Sequence, residues 1–247
     1  MPWLLLDTAL PRAVVAIVDV DGTVRSEILL EETRRHAERL NSAVDEALVA
    51  AHVDVKALTG IGVGVGPGSF IGVRTGLSYA RGLGAALGID VVGIDGLLAL
   101  YGSVDARDED AVVVVDARRG ERYLGTVGVV AGQLALKSTI VAVANDAVDL
   151  GGVATAIGAV DELRWPATAR LLPVPGVTAR GLWRGLQTAV DGHAPGASHV
   201  APLPLYVRGA DAKLPSVDPA ARRASVLAEL DEFDEHDEHD GAKGSDA

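Results

Sequence analysis

Two stretches of this chain follow one plan, and that repetition constrains the fold more than any other feature. "WLLL" (Trp3 to Leu6) reads as a buried strand ending at Asp7; "AVVAIVDV" (Ala13 to Val20) reads as a second strand, with Asp21 and Gly22 as the turn of a hairpin. A third strand is expected near Val24 to Leu30. From Val112 to Leu134 a buried strand again ends in an aspartate, Asp116, and a turn, a second strand and a glycine turn at Gly132 follow. The aspartate-to-glycine spacing is fifteen residues in the first copy and sixteen in the second. Two halves that each open with antiparallel strands and pass into strand and helix alternation predict a duplicated α/β fold.

Between the copies the periodicity becomes helical. Ala37, Leu40, Val44, Ala47, Leu48 and Ala51 recur at helical spacing from about Glu32 to His52. "LTGIGVGVG" is the next strand, "SFIGVRTGLSYARGLGAALG" the next helix and "IDVVGID" another strand. The second half is less regular: Trp165 to Val177 reads as a loop rich in proline and glycine, and Ala179 to Asp191 as a helix. These patterns divide the chain into a first lobe over 1–108, a smaller second lobe over 109–215 and a tail over 216–247.

Charge sets the tail apart. The net charge is −12, and Glu229, Asp231, Glu232, Asp234, Glu235, Asp237, Glu238 and Asp240 supply −8 of it, leaving −4 elsewhere. Such self-repulsion with little apolar content predicts disorder. A body this mildly acidic lacks the basic footprint of an autonomous nucleic-acid binder. Only Arg34, Arg35 and Arg39, or Arg118, Arg119 and Arg122, approach a cluster. RNA contact is therefore expected only in company with another protein.

No apolar run approaches the ~20 residues that span a bilayer, and "MPWLLLDTAL" has no basic flank. A cytoplasmic protein without membrane contact is expected. With no cysteine, thiolate catalysis, iron–sulfur clusters and cysteine-ligated zinc are excluded. The six histidines form no HExxH or HxxxH pair in the body, so no metal site is expected.

The glycine-rich stretch "GVGPGSFIGVRTG" (Gly64 to Gly76) could cradle a phosphate or serve packing. Gly66, Pro67 and Gly68 would form a turn after the strand, and Ser69 would cap the next helix by accepting from the amide near Gly72. That geometry can present amides to an anion. Yet the GxxxxGK[ST] pattern is absent. Asp7 and Asp116 end strands where phosphate-transfer enzymes of this duplicated type hold a metal, but "TALPRA" after Asp7 lacks the glycines that wrap phosphate. Along the helix, Gly72, Gly76, Ala80, Gly84 and Gly88 recur every fourth residue. Interior glycines cost about 1 kcal/mol each relative to alanine, so this ridge needs a close backbone neighbour, from this chain or from a second subunit.

"GVGPGSFIGVRTGLSYARGLGAALGIDVVGID", with "LLLDTAL", "VVDARRGERYLG" and "PLPLYVRGADAKLP", resembles the TsaB (YeaZ) family over about residues 3–215. The resemblance implies an actin-like, RNase H-like (ASKHA) two-lobed α/β fold. It implies a non-catalytic subunit of the machinery that makes tRNA threonylcarbamoyladenosine, docking and activating its catalytic paralogue TsaD, with the ATPase TsaE as a further partner. tRNA would be met only through that complex. No cofactor would be held firmly by this chain, with ATP or ADP and a divalent metal belonging to the whole complex. The family's interface lies on the first two helices, so His36, Leu40, Val44, Gly72, Val73, Gly76, Leu77 and Ala80 are the expected contacts. Asp7, Gly66, Gly68, Ser69 and Arg74 are the expected nucleotide or loop contacts. On this reading Gly76→Leu weakens pairing and leaves the monomer folded, and the isolated chain pairs with itself through its apolar helices. The family usually has threonine where Ile71 stands. The rival reading is an ATP-dependent phosphotransferase or ATPase with Asp7 and Asp116 about a nucleotide between the lobes.

Overall fold

The computed structural model describes residues 1–31, 36–106, 108–145, 152–161, 163–191 and 202–207. The tail expected over 216–247 lies outside these residues, as do residues 32–35, where the sequence places the expected start of the first helix.

The first sheet runs β3-β2-β1-β4-β5, with β1 (Pro2–Asp7), β2 (Ala13–Asp19), β3 (Val24–Leu30), β4 (Gly60–Gly64) and β5 (Val91–Ile94). β1, β2 and β3 are antiparallel neighbours, whereas β4 and β5 add in parallel on the other side of β1. The second sheet repeats this plan. β6 (Ala111–Arg118), β7 (Glu121–Val130) and β8 (Gln133–Leu136) form the antiparallel part, and β10 (Thr155–Gly158) and β11 (Arg170–Pro173) add in parallel beside β6. β9 (Val141–Ala144) pairs with β7 outside the plan. Matching order and direction in both sheets make this a duplicated, actin-like, RNase H-like α/β fold.

Alternation along the strands builds the layers. On β1, Leu4 and Leu6 face one core and Leu5 the other; on β2, Val15 and Ile17 oppose Val14 and Ala16. The first of these cores is covered by α1 (His36–Ala51) and α2 (Phe70–Leu87), through Leu40, Val44, Val73, Leu77 and Ala80. The second lies between the sheets and is filled by α3 (Gly96–Gly102) and α4 (Ala179–Asp191). Leu97, Leu100, Tyr101 and Leu182 there touch a cluster that includes strands of both sheets.

Three features differ from expectation. α3 is not among the elements the sequence predicts; the carboxylate of Asp95, at the end of the strand pattern, accepts from the amides of Leu97 and Leu98, an N-cap directly before an apolar run. The expected loop Trp165 to Val177 contains β11, whose four residues are too few to show a period. β9 and β10 are equally short and were not foreseen.

Candidate functional site

Asp7, Thr8 and the glycine loop meet where β1 ends. Asp7 is 1% exposed, and its Oδ1 accepts from the amide of Ala9 at 3.0 Å. Burial holds the carboxyl up at about 6, against the downward pull of the Ala9 and Leu10 amides. Its Oδ2 has no hydrogen-bond partner and lies against Gly64, where any Cβ would overlap it. Thr8 Oγ1 donates to the carbonyl of Gly72 at 2.6 Å, which ties α2 to the strand end.

The glycine loop closes on the same turn. Ser69 caps α2 as expected, accepting from the Gly72 amide at 3.3 Å. Its own amide donates to the Ala9 carbonyl at 2.7 Å, and a Cβ on Gly68 would stand 2.5 Å from that oxygen. Gly66, at φ +96°, accepts from the Gly96 amide at 2.8 Å and so joins the loop to α3. Asp7, Gly66, Gly68 and Ser69 are thus brought together, by contacts internal to the fold. Arg74 stands apart on the exposed side of α2.

A phosphate cradle needs free amides, and in the turn after β1 they are largely spent. The amide of Ala9 donates to Asp7, Pro11 has none, and the amide of Arg12 donates to Pro175. In the second sheet the amides of Ala159 and Val160 donate to Val114 and Gly158. Asp116, the topological counterpart of Asp7, is held by Arg122 at 3.2 Å. Among the described residues no group of three metal-ligating side chains occurs. The residues present do not fit a nucleotide and its metal in the manner the rival reading requires.

The expected interface residues need correction. Leu40, Val44, Val73, Leu77 and Ala80 are at most 3% exposed and pack on the first sheet. Gly72 and Gly76 are buried too: a Cβ on Gly72 would overlap the Thr8 carbonyl, and one on Gly76 would stand 2.7 Å from Thr8 Oγ1. The ridge serves the close approach of this chain's own β1. The side chain of His36 lies outside the described residues.

What the sequence reading missed is the outward side of the same helices. Val49 on α1 is 74% exposed and Ile71 on α2 is 75% exposed. Beside Ile71, the Phe70 ring stacks on Tyr206 at 5.3 Å between centroids, and the Arg74 guanidinium lies 3.9 Å over Phe70 and donates to the Tyr206 hydroxyl. Residues 202–206 are strapped across α2: Leu205 donates to the Val65 carbonyl and Arg81 to the carbonyl of Pro202. The signal available was "SFI", two large apolar residues at the first turn of a helix whose buried ridge lies elsewhere.

A family model described as tRNA N6-adenosine threonylcarbamoyltransferase, TsaD, matches residues 23–190. The tRNA threonylcarbamoyladenosine biosynthesis protein TsaB of Escherichia coli is 31% identical over 125 residues, half of this chain and 53% of that protein. The solved structure titled YeaZ from Pseudomonas aeruginosa superposes with a TM-score of 0.70 at 27% identity, covering 83% of this chain and 99% of that one. The chain belongs to the TsaB (YeaZ) family. An uncharacterized protein of Mycobacterium tuberculosis is 37% identical over 220 residues, 85% of this chain and 93% of that protein. The two-lobed fold of this TsaB-family chain is shared along nearly the whole of the Pseudomonas protein. No helix among the described residues is long and apolar enough to cross a membrane.

Proposed function

We propose that this chain serves tRNA threonylcarbamoyladenosine biosynthesis as a non-catalytic subunit that docks and activates its paralogue TsaD through the outward sides of α1 and α2. Family membership supports the role in that modification. The non-catalytic reading is carried by one observation: in the turn after β1, which would have to receive a phosphate, the Ala9 amide is taken by Asp7 itself and the Arg12 amide by Pro175. The docking reading draws on the exposed Val49, Phe70 and Ile71, large apolar side chains on the two helices concerned. TsaE completes the assembly, and tRNA is met only within it. ATP or ADP and a divalent metal belong to the whole complex, and the isolated chain pairs with itself through the same outward surface, in the cytoplasm.

Light scattering with size-exclusion chromatography, on this chain alone and mixed with the TsaD of its own genome, tests the reading together with a tRNA modification assay. A heterodimer and modification that needs both chains are expected. ATP turnover by this chain alone, lost in Asp7→Asn, would instead establish the phosphotransferase reading.

A further inference from the structure

A cavity of about 280 Å³ opens between the sheets at the carboxyl ends of β6, β10 and β11. Its position is the one the rival reading would give to a nucleotide, but its chemistry is different. The accessible wall is hydrocarbon, chiefly Pro11 from the β1–β2 turn and Pro173 and Pro175 about the end of β11, with the buried Leu10, Leu100 and Val114 behind them. The polar side chains that line it are two carboxylates, Asp116 and Asp161, and among the described residues no basic side chain joins them.

The backbone of the wall is closed to ligands as well. Gly158, at φ +105°, brings its own chain so near to β6 that a Cβ would overlap the Val114 carbonyl. The Val114 carbonyl accepts from Ala159 at 2.9 Å, and the Gly158 carbonyl accepts from Val160 and Val174 at 2.9 and 3.2 Å. With these groups paired internally, the enclosed surface behaves as apolar. An anion would meet the carboxylates of Asp116 and Asp161 at this wall.

The two carboxylates are not equivalent. Asp116 is held by Arg122 at 3.2 Å and Arg118 at 3.5 Å, so its charge is already matched. Asp161 is exposed and has no ion pair among the described residues. It leaves one unmatched negative charge at the solvent side of an apolar chamber. At ~30 Å³ per water-sized group, the chamber holds a body of about seven to nine non-hydrogen atoms.

We propose that this cavity binds a small primary amine, its ammonium paired with Asp161 and its hydrocarbon body packed against Leu10 and the rings of Pro11, Pro173 and Pro175. The driving force is burial of the apolar body, and the carboxylate selects the charge. This ligand site is separate from the docking surface of α1 and α2 and stands whether or not that surface meets TsaD.

Isothermal titration of the full chain with hexylamine, hexanol, hexanoate and ATP tests the proposal. Hexylamine should bind saturably, with hexanol about fivefold weaker, the cost of one lost solvent-exposed ion pair, and with hexanoate and ATP weaker still. Asp161→Asn should lower hexylamine affinity about fivefold and leave hexanol unchanged, and Ala159→Leu, checked for an unaltered melting temperature, should reduce binding of both. The proposal is overturned if hexylamine does not bind, if hexanoate or ATP binds as well as hexylamine, or if Asp161→Asn binds hexylamine as wild type does.

Discussion

Gly64 and Asp7 share a single space: a Cβ on residue 64 would overlap Oδ2 of Asp7 and stand 2.7 Å from its Cγ. β4 pairs in parallel with β1 here, so neither strand can move aside without breaking the ladder. Gly64→Ala should therefore destabilise the protein by about 1–3 kcal/mol, as overpacking of a tight core does. Urea denaturation of Gly64→Ala, Asp7→Ala and the double variant checks this. The two losses should fall well short of additive, since removing the carboxylate makes room for the methyl group.

The same burial makes stability depend on pH. Asp7 carries a pKa of about 6 in the folded chain against 3.8 when exposed, so the native state keeps its proton to higher pH than the unfolded chain does. A raised carboxyl pKa contributes stability below about pH 4, which is lost as pH rises through about 6. At 1.36 kcal/mol per pH unit the loss is about 3 kcal/mol. Chemical denaturation from pH 4 to 7 should show this decline in wild type relative to Asp7→Asn, and parallel profiles for the two proteins would refute it.

Ile71 separates the docking surface from the core. Its side chain is 75% exposed, so Ile71→Asp should leave the melting temperature of the isolated chain within about a degree, as surface changes do. If the outward side of α2 is the docking surface, the same substitution should weaken association with TsaD at least about tenfold, the effect of an unpaired charge placed in an apolar contact. Calorimetry and binding titration on one preparation distinguish the two effects.

Gly76→Leu should behave in the opposite way. A Cβ there would stand 2.7 Å from Thr8 Oγ1 and 3.2 Å from Leu6 Cδ1, and leucine adds three further carbons to that crowding. The isolated chain should lose several kcal/mol of stability or fail to fold, visible as a lowered melting temperature before any partner is added.

The repeated strand plan, the strand ending at Asp7, the cap at Ser69 and the bounds of α4 were legible in the sequence, because hydrophobic period and turn chemistry are local properties; the strand expected to end at Asp116 runs on to Arg118. So was the family, through motifs carried by consecutive residues. The small-residue ridge was equally visible, but a ridge states only that something comes near. That the neighbour is the end of β1, and so that Gly72 and Gly76 serve this chain's own core, depends on which strand passes beneath α2. Likewise, the sequence placed Asp7 at a strand end, whereas tertiary structure decided that its carboxylate would take up the nearby amides and leave one oxygen unpartnered at Gly64. The exposed set on α2 and the chamber above Asp161 join residues far apart in the chain. Period and propensity report how each segment meets its immediate neighbours; distances between segments are set only when the sheets close on their helices.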